Sequence, residues 1–569
     1  MKKISGNLRH LPWKQLGILI LLMIFELSMH PLGVGPDRRI HDPGVVRFID
    51  PKSSPGDWYA DAAQASGVYP FYGALVSLGP TFSIEEERWR MILYIISLVV
   101  LYIALFRIAR IFSDNILVVP LVAVFHATGY LYDPPAWLYG PFMHIDGGLA
   151  PRSIGVALSF LAVAFFLEER KIAPWIVIGI ATLIHVSNSM LVFLVLLATT
   201  VLEQLVEMYR RCRQMQPRVA VKQGFPFTQL IIPISVYFLS GGWFILAVAS
   251  HDVVGPMRLT TEQFIWTWVY FRAPYMALPY ISYGSWILFS LYLLVLAGAM
   301  TFLFWFLREK RKELSRLGLI SFFSLMGFVV FYLVTFEVPW LKGFQLYSFR
   351  IIYLVYLSMY VSLAIVIVTL PRYLINRFPF FQTQLSLWKW IYILVIGGTY
   401  LFFVNHYKVI DRYEGKAIPN LEKSIEYFKK PQMPAAGSPI EKYLFDHRAV
   451  PYLSPPDWNG PPRHASVASF KVFGFTQSSL PIWRDRMDAL SRGELSRQYY
   501  LQKSQGRFKP VIIDWRETYG KLTAEEVESL RKKWGFRYFV TYIDHQSYPY
   551  HVIMMDENYI LYDVDEISM

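Results

Sequence analysis

Long apolar runs are the feature that most limits what this chain can fold into. A helix that crosses a bilayer needs about 20 mostly apolar residues. The sequence supplies eleven such runs, at about 15–32, 91–111, 115–131, 151–167, 172–186, 188–206, 228–249, 283–307, 317–336, 350–370 and 388–405. Composition agrees with a membrane protein: 54% of the 569 residues are hydrophobic and 17% are charged, against about 25% charged in soluble domains. The fifth and sixth runs form one apolar stretch interrupted by His185, Ser187 and Asn188. As a single helix it would be about 50 Å long, so the spacing predicts two shorter helices joined by a tight polar turn. The basic N-terminus and the apolar run after it have the outline of a signal peptide. No small-x-small cleavage site follows, and the segment reads as an uncleaved first helix.

Charge sorts the connecting segments. With the N-terminus placed in the cytoplasm, the cytoplasmic segments hold 21 basic and 7 acidic residues, whereas the outer loops before residue 406 hold 11 and 13. That is the asymmetry of the positive-inside rule. The net charge of +13 is therefore a mark of topology and not of nucleic-acid binding. The expected architecture is mainly α: a polytopic helical membrane protein of about eleven spans with a cytoplasmic N-terminus. The odd number of spans puts the C-terminal region outside, as in a multi-pass protein of a bacterial inner (plasma) membrane. Membrane lipids are its surroundings.

From about residue 406 the apolar runs stop. The segments 538–543 (YFVTYI), 551–555 (HVIMM) and 559–564 (YILYDV) read as strands, and 510–515 (PVIIDW) as a further one. Residues 522–535 read as an amphipathic helix with Thr523 near its N-cap and Gly535 at its C-terminus. The chain divides accordingly into a transmembrane domain over 1–405, with a long first outer loop at 33–90, and a small extracytoplasmic α/β domain over 406–569.

The chemistry-bearing residues are few. The first outer loop carries Asp37, Asp42, Asp50, Asp57 and Asp61. Carboxylates there can act as general bases, hold a divalent cation or cap turns. The other outer segments carry Arg152, His185, Asn188, Arg272, Lys342 and Arg350. On one side of a membrane these polar and cationic groups can converge on an anionic group. Lipid-linked phosphate fits, because a guanidinium presents a fork of donors matched to phosphate oxygens. The alternative for each cation is snorkelling to lipid headgroups. Glu26 lies within the first span and must be neutral or paired. Tryptophans at predicted span ends, among them Trp13, Trp89, Trp137, Trp340, Trp388 and Trp390, read as an interfacial belt. Cys212 is the one cysteine, which rules out an intramolecular disulfide and leaves no disulfide-linked partner expected. No P-loop, dinucleotide fingerprint, Gly-x-Ser-x-Gly or His-Glu-x-x-His motif is present.

Several of these residues fall in one pattern: Asp37 soon after the first span, IDPKSSPGDW with Asp57, and Ala-Pro-Arg152-Ser opening the fourth span. It continues with His185 ending the fifth span, Phe-Arg272-Ala-Pro in the third large outer loop, and Gln345 to Arg350 opening the tenth span. In this the chain resembles the GT-C superfamily of multi-spanning glycosyltransferases, and more closely a bacterial family of membrane proteins related to it. The resemblance covers about residues 10–405. It implies glycosyl transfer on the outer face, from a polyprenyl-phosphate-linked sugar donor to a lipid, glycan or protein acceptor. Asp57 or Asp37 would then be the general base, in some members with a divalent cation (magnesium or manganese) as cofactor. Arg152, Arg272 and Arg350 would hold the phosphate, with His185, Asn188 and Lys342 also lining the substrate site. One departure is visible: relatives carry histidines after the Arg-x-Pro of the third loop, where this chain has Tyr275 and Met276. Two other readings use the same outer cations. One is a transporter or flippase of a lipid-linked anion; the other is a non-catalytic scaffold of a cell-envelope polysaccharide system.

Overall fold

In hydrocarbon no water is available to bond backbone N–H and C=O groups, so an apolar chain satisfies them within helices. The computed structural model describes residues 70–115, 117–129, 151–214, 228–250, 259–273, 276–280, 283–346, 348–377, 439–447, 450–456, 458, 467, 479–545 and 547–567, with 17, 20 and 45 as isolated positions. Helices dominate it. They are α1 (Pro70–Thr81), α2 (Glu86–Phe112), α3 (Val118–Gly129), α4 (Pro151–Leu167), α5 (Ala173–Ile184), α6 (Val186–Gln214) and α7 (Thr228–Tyr237). After them come α8 (Thr261–Ile265), α9 (Tyr283–Phe306), α10 (Arg311–Tyr332), α11 (Leu341–Gln345) and α12 (Tyr353–Arg377).

Among the described residues, five helical segments are long and apolar enough to cross a membrane: Arg88–Phe112, Val186–Arg210, Phe289–Phe306, Arg308–Glu337 and Leu341–Pro371. Shorter apolar helices run over Pro151–Leu167, Ala173–Ile184 and Gln229–Gly242. The expected runs at 15–32 and 388–405 fall almost wholly outside the described residues, and the run at 115–131 is the 12-residue α3. The predicted break in the long fifth-to-sixth stretch is present, but only His185 leaves the helix, turning extended with φ −145° and ψ 91°. The helix after it is not short: α6 runs for 29 residues. Trp89 departs from a lipid-facing role, because its indole N–H donates to the Leu75 carbonyl at 2.9 Å, stapling α2 to α1.

One end of the bundle is tied by ion pairs. Arg107 at the end of α2 pairs with Glu168 in the turn after α4. Arg316 on α10 forks onto both carboxylate oxygens of Glu203 on α6, at 2.7 and 2.9 Å, and reaches Glu169 at 3.1 Å. Lys312 also pairs with Glu169. These basic residues belong to the segments that charge counting assigns to the cytoplasm. Arg152 opens α4 and His185 precedes α6, at the other ends of those helices.

The C-terminal part holds a four-stranded sheet. Its strands are β1 (Tyr452–Leu453), β2 (Tyr538–Tyr542), β3 (Tyr550–Met555) and β4 (Tyr559–Ile567), in the order β1-β2-β4-β3. β1 runs parallel to β2, and the other pairings are antiparallel, with Val540 opposite Leu561. The expected helix is α15 (Ala524–Trp534), preceded by α13 (Leu480–Leu490) and α14 (Glu494–Ser504). A capping box starts α15: the Thr523 hydroxyl accepts from the Glu526 N–H while the Glu526 carboxylate accepts from the Thr523 N–H. Gly535 ends it at φ 68°, a left-handed conformation that suits glycine. Tyrosines lock helix to sheet, with Tyr519 donating to the Val540 carbonyl and Tyr548 to that of Leu522, both at 2.7 Å.

Residues 510–515 are not a strand of this sheet. The segment is extended, and the Val511 N–H donates at 2.7 Å to the carbonyl of Tyr270, in the helical segment Trp266–Arg272. The alternating pattern read as a strand is that of an extended segment buried against that helical one.

Candidate functional site

A buried polar cluster sits where α4 begins and where α5 gives way to α6. Pro151 opens α4 in the position where its missing N–H is not needed. Arg152 follows in the first turn and is 6% exposed. A cation at a helix N-terminus opposes the helix dipole. A helix N-terminus is also a place where an anionic group is favoured.

Arg152, Gly155 and Ser159 lie at helical spacing on one stripe of α4. Gly155 makes the approach possible: a Cβ built on it would lie 2.7 Å from His185 Cβ and 3.8 Å from Ser189 Oγ. His185 is 4% exposed. It ends α5 and starts α6, with its ring Nδ1 facing the Asn188 N–H at 3.4 Å in the manner of an N-cap. Asn188 is fully buried. One turn further along α4, the Phe160 ring lies 5.6 Å from that of Tyr353, three residues past Arg350. The turn Ser348–Ile352 that carries Arg350 packs on α6 and α10. Arg152 thus opens the helix whose Gly155 meets His185, and His185 caps the helix start that holds Asn188.

Arg272 reaches its place differently. It is the last residue of a π-helical segment, Trp266–Arg272, that continues α8. Such segments are rare and recur at functional sites. The C-terminal helices clamp this one. Glu262 accepts from the Tyr499 hydroxyl at 2.7 Å and pairs with Lys503 at 3.0 Å. The Gln502 carbonyl oxygen accepts from the Trp266 indole at 3.2 Å and from the Lys509 N–H at 2.8 Å. Phe271 packs on Trp483, with ring centroids 5.6 Å apart. Burial pushes the Glu262 carboxyl up, but the Tyr499 hydrogen bond and the Lys503 ion pair outweigh it and hold the group below its ordinary value. Lys342 lies exposed on α11. That helix packs against α8 through Phe344, whose ring is 6.3 Å from that of Phe264.

Asp37 and Asp57 fall outside the described residues. Among the described residues no group of three His, Cys, Asp or Glu side chains could hold a metal ion. Sequence reasoning missed Ser153, Gly155 and Ser189.

No family model matches the sequence, and no curated protein matches it. Among solved structures the chain is similar to the crystal structure of ArnT from Cupriavidus metallidurans in the apo state. The identity is 13%, over 96% of this chain and 97% of that one, with a TM-score of 0.39. A superposition that loose carries no statement about residues or activity.

Proposed function

We propose that the chain is a GT-C-type glycosyltransferase, moving a sugar from a polyprenyl-phosphate carrier to an acceptor hydroxyl at the bundle end that holds Arg152. The observation that carries this reading is the buried Arg152 in the first turn of α4, three residues before the Gly155 that abuts His185. A guanidinium at a helix N-terminus inside apolar surroundings suits a phosphate, with forked donors and the helix dipole acting together. In the reaction, a first-loop carboxylate (Asp57 or Asp37) takes the proton of the acceptor hydroxyl. The acceptor oxygen forms the new bond to the sugar C1, and the bond from C1 to the carrier phosphate breaks. Arg152, with Arg350 and Arg272, stabilises the charge gathering on the leaving phosphate. No step is routed through a metal. In this reading the site faces the outside of a bacterial inner membrane, and residues 406–569 form a domain above it that fixes the loop bearing Arg272.

The test is sugar incorporation into membranes from cells with and without this protein, using labelled lipid-linked donors. Arg152→Gln is expected to lower transfer about 10²–10³-fold, the loss typical of removing one transition-state charge stabiliser. Asp57→Asn or Asp37→Asn is expected to abolish it. Unchanged transfer in both aspartate variants removes a first-loop base from the mechanism. Movement of the lipid across the bilayer with no transfer would replace the enzyme by a flippase.

A further inference from the structure

Hydroxyls buried in apolar helices ordinarily return their proton to the carbonyl four residues back. Ser97, Ser159, Thr199, Ser324 and Ser358 all do so, at 2.7–2.8 Å. The cluster beside Arg152 breaks that rule. Ser153 and Ser189 are fully buried, as is Asn188. Yet Ser153 Oγ, Ser189 Oγ and both ends of the Asn188 amide have no hydrogen-bond partner among the described residues. Thr335, also orphaned, belongs elsewhere, in the π turn Leu333–Glu337. Ser153 stands in the first turn of α4. Asn188 and Ser189 occupy the first turn of α6, Ser189 beside Gly155. Four unmet polar atoms in two adjoining helix starts amount to a built-in demand for a polar ligand.

The chemistry of the four atoms says which ligand. A phosphate offers only acceptors, and its oxygens would be repelled by the Asn188 carbonyl oxygen. A hydroxyl both donates and accepts, so one hydroxyl, or two neighbouring ones, can serve the Asn188 amide and the serines at once. Arg152 next to them takes the anion. We propose that Ser153, Asn188 and Ser189 form a hydroxyl-reading subsite for the sugar ring carried beside the phosphate that Arg152 holds. This rests on the chain being a sugar transferase.

Purified protein in nanodiscs tests it with two probes: a polyprenyl phosphate, and the same carrier bearing glucose, galactose or mannose on the phosphate. The wild type is expected to bind at least one sugar-bearing lipid about tenfold more tightly than the bare carrier, a difference of one or two hydrogen bonds. Asn188→Leu should erase that preference, weakening the sugar-bearing lipid more than the bare carrier, whereas Arg152→Gln should weaken both. The pair S153A/S189A should lower the preference in part. Because the orphaned groups have no partners to lose among the described residues, the ligand-free melting temperatures of Asn188→Leu and S153A/S189A should equal or exceed that of the wild type. A preference that survives Asn188→Leu overturns the subsite and leaves the transferase reading standing. So does equal loss of both lipids in that variant, or a fall in the melting temperature of S153A/S189A. A wild type that binds neither probe overturns both.

Discussion

Gly155 on α4 and His185 at the α5–α6 junction meet so closely that a methyl on the glycine would lie 2.7 Å from the histidine Cβ. The contact joins a helix start to a helix break, and the polar cluster is assembled around it. Cβ atoms do not approach that closely, and His185 Cβ is too near its backbone to swing away. Replacing glycine by alanine inside a helix ordinarily stabilises by about 1 kcal/mol. Overpacking a tight contact destabilises by about 1–3 kcal/mol. Gly155→Ala is therefore expected to lower stability and to reduce sugar transfer by displacing His185 and Asn188. Detergent-solubilised thermal unfolding reads the sign: a stabilised variant would mean that the contact is slack.

The opposite end of the bundle behaves differently. Arg316 holds both oxygens of Glu203 and reaches Glu169. Arg316→Leu strands a half-buried Glu203 carboxylate and is expected to destabilise by about 1–3 kcal/mol. Arg316→Lys should recover part of that, since an ammonium cannot reproduce the forked contact. Transfer per folded molecule should stay at the wild-type level in both, because the network lies far from Arg152. A specific loss of transfer with stability intact would contradict that separation.

How far the sequence foretold this depends on the range of the forces involved. Thr523 and Gly535 announced α15 because capping is settled within one helical turn. His185 announced a break because a polar residue in an apolar run has few ways to be satisfied. Residues 510–515 misled, since an extended segment bonded to Tyr270 alternates like a strand in a sheet, and its partner is remote in sequence. Ser153 and Ser189 were silent because a helical serine usually satisfies itself. Their orphaned state appears only when the neighbouring helices are in place. Asp37 and Asp57 lie outside the described residues, so their expected role as base rests on the sequence pattern.

Gln502 is a single acceptor for two donors: the Trp266 indole, which ties the C-terminal helices to the segment bearing Arg272, and the Lys509 N–H of its own C-terminal stretch. It is 7% exposed, so water cannot readily replace it. Gln502→Leu leaves both donors unmet and is expected to destabilise this contact by about 1–3 kcal/mol per donor. Gln502→Glu, which keeps the acceptor oxygen, should be milder. If the clamp positions Arg272, the leucine variant raises KM for the lipid donor and speeds proteolysis within residues 259–273. Wild-type values for both would show that the loop holds its shape without the C-terminal helices.

Glu262 gives the same clamp a pH dependence. Burial opposes its charge, but the Tyr499 hydroxyl and Lys503 favour it more, and its folded value lies below the ordinary one. A carboxyl depressed in this way adds stability above its unfolded value, about 4.3, and that stability is lost as pH falls through the lower folded value. The carboxylate is partly exposed, so the effect is small and shrinks with added salt. Glu262→Gln should therefore melt below the wild type at about pH 7. The gap should narrow as pH drops below about 4.3 and close once the wild-type carboxyl is protonated. Thermal melts of the two proteins across that range decide it: a gap of constant size down to about pH 3 would mean that the charge of Glu262 contributes nothing to holding the loop.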